Sequence, residues 1–194
     1  ISAHRTSDIL AWDVCPCNQL LNFSAGKKGL PYDEDGILAR AGKVNTMLLD
    51  EMRKVIKLPH SEPFSLDNTF ILTSFITLLR GSTLSVEDQL RTSVEYICES
   101  IGAQARRAHE MLDIEPTILV TGGSAHNTFL IERLDVHLSG QSVKAVVPDD
   151  ATIDFKEAVL MSLCGLLRVL GKPNAVASVT GADRETVNGG IYHP

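Results

Sequence analysis

The sequence has no excess of positive charge and no long apolar run. Its 194 residues include 18 lysines and arginines against 24 aspartates and glutamates, which gives a formal net charge of −6. Because clustered positive charge is what binds a nucleic-acid backbone, we expect no nucleic-acid partner. The longest apolar candidate, residues 70–79, is shorter than a bilayer-spanning helix and contains Thr and Ser. We therefore expect a cytoplasmic protein that does not bind membranes.

The sequence is also poor in cysteine, with four in the whole chain. That number does not make a disulfide framework in a protein of this length. Cys98 and Cys164 lie in apolar helical patterns, where a buried free thiol is ordinary. Cys15 and Cys17 are separated by one proline, and a thiol-based redox or metal module is one hypothesis for them. Because the nearest histidine, His4, is a poor ligand candidate, the sequence predicts no metal site.

Apolar residues make up 44% of the chain, which is enough for a core, and short strand-like runs alternate with helical patterns. This alternation predicts an α/β fold. No linker rich in Gly, Ser or Pro divides the chain, so we predict one domain over residues 1–194. The predicted strands are 9–14, 118–120, 143–147 and 176–179. The predicted helices are 19–28, 37–56, 70–79, 85–112, 128–138 and 153–170. Asp35 and Ser85 are the predicted N-caps of the second and the fourth helix.

The predicted strand 118–120 runs into two glycines, Gly122 and Gly123, and then into the helix 128–138. Adjacent glycines let the backbone approach a ligand where a Cβ would collide. The helix that follows offers free N–H groups and the positive end of its dipole. These properties suit a nucleotide contact. An ordinary tight turn that requires positive φ uses the same residues, and for an isolated Gly-Gly the turn is the better interpretation.

Two carboxylates, Asp13 and Glu157, each have both a structural and a catalytic explanation. Asp13 ends an otherwise apolar strand, and a buried carboxylate is costly unless something pairs with it. It either caps the turn and helix that follow or has a catalytic role. Glu157 lies in the first turns of the helix 153–170, where it either compensates the helix dipole or belongs to a site. Local patterns leave both alternatives open.

Five groups of residues stand in order along the chain: 12–18 (WDVCPCN) with 21–22 (LN), 32–36 (YDEDG) with 41–42 (AG), 122–127 (GGSAHN), 154 with 157–158, and 179–182 (VTGA). In their order and spacing they resemble the anhydro-N-acetylmuramic acid kinases, sugar kinases of the acetate and sugar kinase, actin and heat-shock chaperone superfamily. The resemblance implies a ribonuclease-H-like, actin-like ATPase lobe with a mixed sheet flanked by helices. The part of the family that it covers is the C-terminal half.

The resemblance also implies a reaction on an anhydro amino sugar. Asp13 takes the place of the general base that activates the water which opens the 1,6-anhydro ring, while ATP, with Mg²⁺, phosphorylates the O6 oxygen. Glu157 takes the place of a glutamate that assists at the same water. The residues implied in ATP binding are Asn18, Gly122, Gly123, Ser124, Asn127, Thr180 and Gly181.

Two departures from the family pattern concern phosphate binding. The family usually has glycine on both sides of the proline where this chain has Cys15 and Cys17. Two side chains therefore occupy positions at which backbone N–H groups approach phosphate. Around residues 63–68 the chain lacks the lysine, glycine and glutamate of a family segment, which removes a positive charge. Both departures favour an alternative, a non-catalytic member that keeps the fold for nucleotide sensing or assembly.

No part of the chain resembles the N-terminal lobe of the family, which carries a Gly-rich phosphate loop and much of the sugar pocket. The sequence also begins at Ile1 rather than at an initiator Met. We expect the chain to be a C-terminal lobe that is inactive alone and acts with an N-terminal kinase lobe in peptidoglycan recycling. A homodimer is a further possibility.

Overall fold

The computed structural model describes residues 2–5, 8–57, 65–112, 117–141 and 143–192. By their contacts, the residues form two units, one of residues 13–148 and one that joins residues 1–12 to residues 149–194. Helices predominate, and each unit also holds a two-stranded sheet. The α/β class predicted from the sequence is confirmed. The single domain and the ribonuclease-H-like sheet stay predictions.

In the unit of residues 13–148, shorter helices pack around one long helix. The helices are α1 (Asn18–Gly26), α2 (Ile37–Ala41), α3 (Thr46–Val55), α4 (Asn68–Ile71), α5 (Thr77–Gly81), α6 (Val86–Leu112) and α7 (Thr128–Leu138). A π turn, Leu72–Ile76, joins α4 to α5, so the predicted helix 70–79 is confirmed. Leu90, Val94 and Ile97 of α6 are fully buried at helical spacing. The core forms where this stripe meets α1, α2, α3 and α7.

The predicted helix 37–56 is wrong as a single helix, because the chain forms α2 and α3 with a break at Gly42. Gly42 is extended (φ −82°, ψ 172°) and lies against the backbone at the start of α6, where a Cβ would collide. Asn45 then begins α3, since its Oδ1 accepts the N–H of Leu48 at 2.9 Å. The apolar spacing continues across the break, so periodicity alone does not show it.

The acidic turn before α2 is capped by Asp33, and the prediction of Asp35 as the N-cap is wrong. The buried Asp33 carboxylate accepts the N–H of Leu38 and the N–H of Ala39, each at 2.9 Å. Asp35 and Gly36 have positive φ, 52° and 68°. This left-handed turn reverses the chain, so the carboxylate two residues earlier reaches the free amides of the helix.

The segment that contains the parallel sheet agrees closely with its prediction. Strands β3 (Thr117–Leu119) and β4 (Lys144–Val146) pair in parallel, with Ile118 opposite Ala145. Helix α7 connects them and has the predicted bounds. The N-cap predicted for α6 is also confirmed, because Ser85 Oγ accepts a backbone N–H of the first turn at 3.1 Å.

The other unit contains β1 (Ser2–Arg5) and β2 (Asp8–Ala11), which pair antiparallel, and the helices α8 (Asp150–Val169) and α9 (Ala177–Thr180). Strand β2 ends at Ala11, before the predicted end of the strand 9–14. Helix α8 begins earlier than residue 153, because Asp149 Oδ1 accepts the N–H of Thr152 at 2.9 Å and caps it.

Residues 176–179, predicted as a strand, lie in and before the short helix α9. Thr180 Oγ1 donates to the carbonyl of Val176 at 3.0 Å, and the N–H of Gly181 donates to that of Ala177 at 2.9 Å. Gly181 has a φ of 70°, the left-handed conformation that ends many helices. These local hydrogen bonds outweigh the strand preference of the two valines.

Helix α8 carries large apolar side chains on its surface. Phe155, Val159, Leu160 and Met161 are each more than half exposed, whereas Ile153 is buried. The described part of the chain has no helix that combines the length and the apolarity needed to cross a membrane.

A buried carboxylate ties α6 to α7. Glu95, whose side chain is 7% exposed, accepts hydrogen bonds from Arg133 Nε (2.7 Å), His137 Nε2 (2.8 Å) and Arg91 Nε (3.1 Å). Burial alone would raise the pKa of Glu95, but the hydrogen bonds of His137 and Arg133 and the charges of Arg133 and Arg91 lower it to about 2. The stability of the fold therefore depends on the ionised form of this side chain.

We expect Glu95→Gln to lower the free energy of unfolding by about 2 kcal/mol at pH 7, because two arginines lose a buried charge partner. The folded pKa lies below the ordinary value of 4.5. The stabilisation is therefore present above about pH 4.5 and is lost as the pH falls towards 2. Chemical denaturation should show a difference between the two proteins that shrinks on acidification. Glu51→Gln, which breaks an exposed pair with Lys54, is the control, and an equal effect of both substitutions would contradict this account.

Candidate functional site

Two cavities of the unit 13–148 adjoin at Asn18, which lines both of them. The Asp13 cavity, of about 310 Å³, is lined by Asp13, Cys15, Pro16, Cys17, Asn18, Gln19, Leu66, Asn68 and Ile71. The Tyr32 cavity, of about 430 Å³, is lined by Asn18, Leu21, Asn22, Tyr32, Asp33, Glu34, Asp35, Gly123, Ser124, His126 and Asn127. The two cavities thus collect most of the site residues expected in this part of the sequence.

A hydrogen bond joins the loop before α1 to the Gly-Gly turn before α7. Ser124 Oγ donates to Asn18 Oδ1 at 2.5 Å, across a sequence separation of 106 residues. Cys17 Sγ lies 3.2 Å from the same hydroxyl. These contacts bring together two motifs that the sequence places far apart, and they form the boundary between the two cavities.

The Gly-Gly turn has the positive φ expected of a tight turn, and the nucleotide contact stays a prediction. Gly122 has a φ of 79°, a conformation that favours glycine, so the turn requires it. A Cβ on Gly122 would meet nothing within 4 Å, and one on Gly123 would meet Asn18 Nδ2 at 3.4 Å. The space beside Gly122 is therefore open, whereas Gly123 lies against the side chain of Asn18.

Asn127 holds this turn in place. It is 8% exposed, and its Oδ1 accepts the N–H of Leu130 at 2.9 Å as the N-cap of α7. Thr128 Oγ1 donates to the carbonyl of Asp35 at 3.2 Å, which links the start of α7 to the acidic turn. The side chain of Asn127 therefore serves the architecture of the Tyr32 cavity.

Asp13 is exposed and does not cap α1, which has no side-chain cap at its N-terminus. Its Oδ2 accepts the N–H of Leu66 at 2.7 Å instead. Beside it, Gln19 Nε2 donates to Asn68 Oδ1 at 2.7 Å. No lysine or arginine lines this cavity among the described residues, and positions 63 and 64 of the variant family segment lie outside them. The cavity thus offers one carboxylate and neutral amides.

The two cysteines of the Asp13 cavity are free thiols. Burial raises the pKa of Cys15, and the nearby Cys17 raises it further. Burial likewise raises the pKa of Cys17, against a hydrogen bond with Ser124. Both thiols are therefore protonated at neutral pH, which makes them poor nucleophiles and weighs against a redox module. Among the described residues, no group of three His, Cys, Asp or Glu is placed to hold a metal ion.

The acidic wall of the Tyr32 cavity was not among the predicted site residues. The ring of Tyr32 is 57% exposed, and Glu34 and Asp35 are exposed as well. Their charges fit helix capping in the sequence, although the structure gives that role to Asp33 alone. The sequence signal that could have identified this wall as part of a site is the position of the turn among the family segments.

Three predicted site residues lie in the other unit. Glu157 is exposed on α8, and Thr180 and Gly181 form the end of α9. Thr180 and Gly181 have a structural role there, as the hydrogen bonds that terminate α9 show. The structure brings Asp13, Asn18 and the Gly-Gly turn together within one unit.

A family model described as anhydro-N-acetylmuramic acid kinase matches residues 4–194 of the chain. The chain belongs to this kinase family. The resemblance seen in the sequence motifs is confirmed.

Three relatives named anhydro-N-acetylmuramic acid kinase illustrate how far the family likeness extends. The protein from Hahella chejuensis is 32% identical over 98% of the chain, and those from Aliivibrio fischeri and Vibrio cholerae are each 30% identical over 97% and 96% of it. The matches cover 51%, 51% and 50% of the relatives, respectively. The chain thus spans about half the length of the curated relatives that it matches.

Proposed function

We propose that this chain is the C-terminal, nucleotide-binding half of an ATP-dependent kinase. Its reaction opens the 1,6-anhydro ring of anhydro-N-acetylmuramic acid by hydrolysis and phosphorylates O6. The observation that carries the proposal is the hydrogen bond from Ser124 to Asn18, which sets the Gly-Gly turn beside the loop that holds Asp13. Family membership supports the kinase class.

The Tyr32 cavity suits the nucleoside part of ATP. Its volume, about 430 Å³, falls within the usual range for small-molecule sites. The ribose hydroxyls and the adenine amino group donate hydrogen bonds, and the exposed carboxylates of Glu34 and Asp35 can accept them. The exposed ring of Tyr32 offers a surface for stacking. The same carboxylates would repel a triphosphate, so we assign the phosphates to the neighbouring cavity.

The Asp13 cavity suits the phosphates of ATP and the water that opens the ring. The Mg²⁺ that accompanies ATP prefers oxygen ligands, and the side-chain amides of Asn18 and Asn68 supply oxygens there. We assign to Asp13 the removal of a proton from the water that opens the ring. Glu157 is assigned to assist at this water, and Thr180 and Gly181 to the nucleotide, on the family motifs.

An N-terminal lobe is part of this proposal. The chain covers about half of its relatives, and no cation among the described residues lines the Asp13 cavity. Such a lobe would supply the positive charge that phosphates need and the rest of the sugar pocket. We also assign to it the covering of the apolar side chains that α8 exposes. The 194-residue chain alone is therefore expected to be inactive.

Phosphorylation of 1,6-anhydro-N-acetylmuramic acid by the full-length protein, followed with ATP and Mg²⁺, tests the function. We expect product with the full-length protein and none with the 194-residue chain.

Calorimetric titration with ATP and Mg²⁺ separates the kinase from a non-catalytic sensor. Binding without turnover would favour the non-catalytic sensor, which Cys15 and Cys17 suggest, and the absence of binding would refute both.

Ser124→Ala tests the junction of the two cavities in the same full-length protein. We expect it to raise the dissociation constant for ATP about three- to tenfold, since it removes a hydrogen bond of about 0.5–1.5 kcal/mol net. Ser162→Ala, on the exposed surface of α8, is the matched control and should leave the constant unchanged. Equal constants for both variants would show that the Ser124 contact does not support ATP binding.

A further inference from the structure

The segment 65–68, which leads into α4, forms one side of the Asp13 cavity. Leu66 packs against the core, and Asp67 caps α4, because its Oδ1 accepts the N–H of Phe70 at 2.8 Å. The cap lies within the segment and its own helix. It therefore does not fix the position of the segment relative to the loop before α1, on which Asp13 lies.

Two hydrogen bonds join this segment to the residues around the start of α1. Asp13 Oδ2 accepts the N–H of Leu66 at 2.7 Å, and Gln19 Nε2 donates to Asn68 Oδ1 at 2.7 Å. They span 53 and 49 residues of sequence, so both are tertiary contacts. Among the residues that the structure describes, the segment forms no other hydrogen bond with this part of the chain.

The first of these bonds orients the Asp13 carboxylate. Its Oδ2 is held by a backbone amide, whereas its Oδ1 has no hydrogen-bond partner within the described ranges. The oxygen without a partner can take a proton, and the fixed plane of the carboxylate sets the direction from which it does so. Movement of the Leu66 amide would therefore turn the oxygen on which base catalysis depends.

We propose that Gln19 is a positioning residue for Asp13, an inference that rests on the proposed function of Asp13 as the base. Gln19 lies in the first turn of α1, next to the fully buried Leu20, so its backbone is fixed. Its bond to Asn68 holds the segment two residues beyond Leu66 and keeps the Leu66 amide within reach of the carboxylate. Because glutamine is uncharged, it does so without adding charge to the cavity to which the phosphates are assigned.

Steady-state kinetics of the full-length protein with Gln19→Met test this role. Methionine has a similar length but no N–H to donate. We expect kcat to fall about three- to tenfold, the usual effect of one lost hydrogen bond on the placement of the base. The KM for ATP should stay within about twofold, because Asn18 and Asn68 keep their oxygens. In the Asp13→Asn background, Gln19→Met should change the residual rate less than about twofold, since the oxygen that it positions is absent.

Arg53→Met is the matched control, because it also removes an exposed side-chain link between distant segments. Arg53 bonds Glu99 at 2.9 and 2.6 Å across 46 residues of sequence. This variant should leave kcat unchanged in both backgrounds. Amide hydrogen exchange adds a measurement that does not depend on turnover. The Leu66 amide should exchange about three- to tenfold faster in Gln19→Met than in the wild type, and at the wild-type rate in Arg53→Met.

Four results would overturn the proposal. These are an unchanged kcat in Gln19→Met, an equal fold loss with and without Asp13→Asn, Leu66 exchange no faster than in the control, and a raised KM for ATP at constant kcat. The last would show that Gln19 binds ATP rather than positions the base. Failure of the proposed function is distinguishable, because Asp13→Asn would then leave the rate unchanged by itself.

Discussion

Full-length protein with Asp13→Asn is expected to phosphorylate 1,6-anhydro-N-acetylmuramic acid about 10²- to 10⁴-fold more slowly than the wild type, the usual loss when a general base is removed. Asp13 is exposed in its cavity, and its Oδ2 accepts the N–H of Leu66. Asparagine has the same shape and keeps an oxygen for this bond, so the fold should be retained. The loss is therefore expected in kcat, with the affinity for ATP nearly unchanged.

Steady-state rates of the two proteins, measured beside their unfolding curves, check this expectation. Asp135→Asn, an exposed aspartate on α7, is the matched control and should retain the full rate. An unchanged rate in Asp13→Asn would rule out its role as the base. A rate lost together with stability would instead assign to Asp13 the positioning of the segment that begins at residue 65.

Gly36→Ala is expected to lower the free energy of unfolding by about 3 to 4 kcal/mol, from left-handed backbone strain and overpacking together. Gly36 has a φ of 68°, and a Cβ there would lie 2.5 Å from Asn127 Oδ1 and 2.6 Å from Phe129 Cβ. Phe129 has little freedom to yield, because it is buried with the guanidinium groups of Arg40 and Arg91 4.7 and 5.0 Å from its ring centre. The acidic turn would have to move away from α7.

Gly29→Ala separates the backbone strain from the overpacking. Gly29 has a similar φ of 75°, but a Cβ there would meet nothing within 4 Å. We therefore expect the control to lose only about 1 kcal/mol from backbone strain. Denaturant unfolding of both variants measures the difference, which is the cost of the collision. Equal losses would mean that the acidic turn does not press on Asn127.

Cys15 and Cys17 bear on whether the Asp13 cavity accepts phosphate. By the family resemblance they replace two glycines, and we expect their side chains to narrow the approach of a phosphate to the backbone. Because burial keeps both thiols protonated, they add bulk without adding negative charge. A loss of phosphate affinity in this chain would therefore be steric, and Cys15→Gly with Cys17→Gly should relieve it.

Local signals predicted most of the elements and the family. The bounds of α7 follow from the apolar spacing between Asn127, its N-cap, and the turn at Gly140. Likewise Ser85 marks the start of α6, because its cap bonds an amide only three residues away. A capping residue and the amide that it bonds lie within a few residues of each other, so a single sequence shows both. The order of the family motifs, spread from residue 12 to residue 182, was also readable without a structure.

The sequence by itself thus determined the α/β class, the helices whose caps are local, and the kinase family. Only the tertiary structure decided that α2 and α3 are separate, that Asp33 rather than Asp35 caps α2, and that Ser124 meets Asn18. The break at Gly42 depends on the close approach of α6, and the Ser124 contact spans 106 residues. Periodicity describes one element at a time, whereas these features arise from packing between elements distant in sequence.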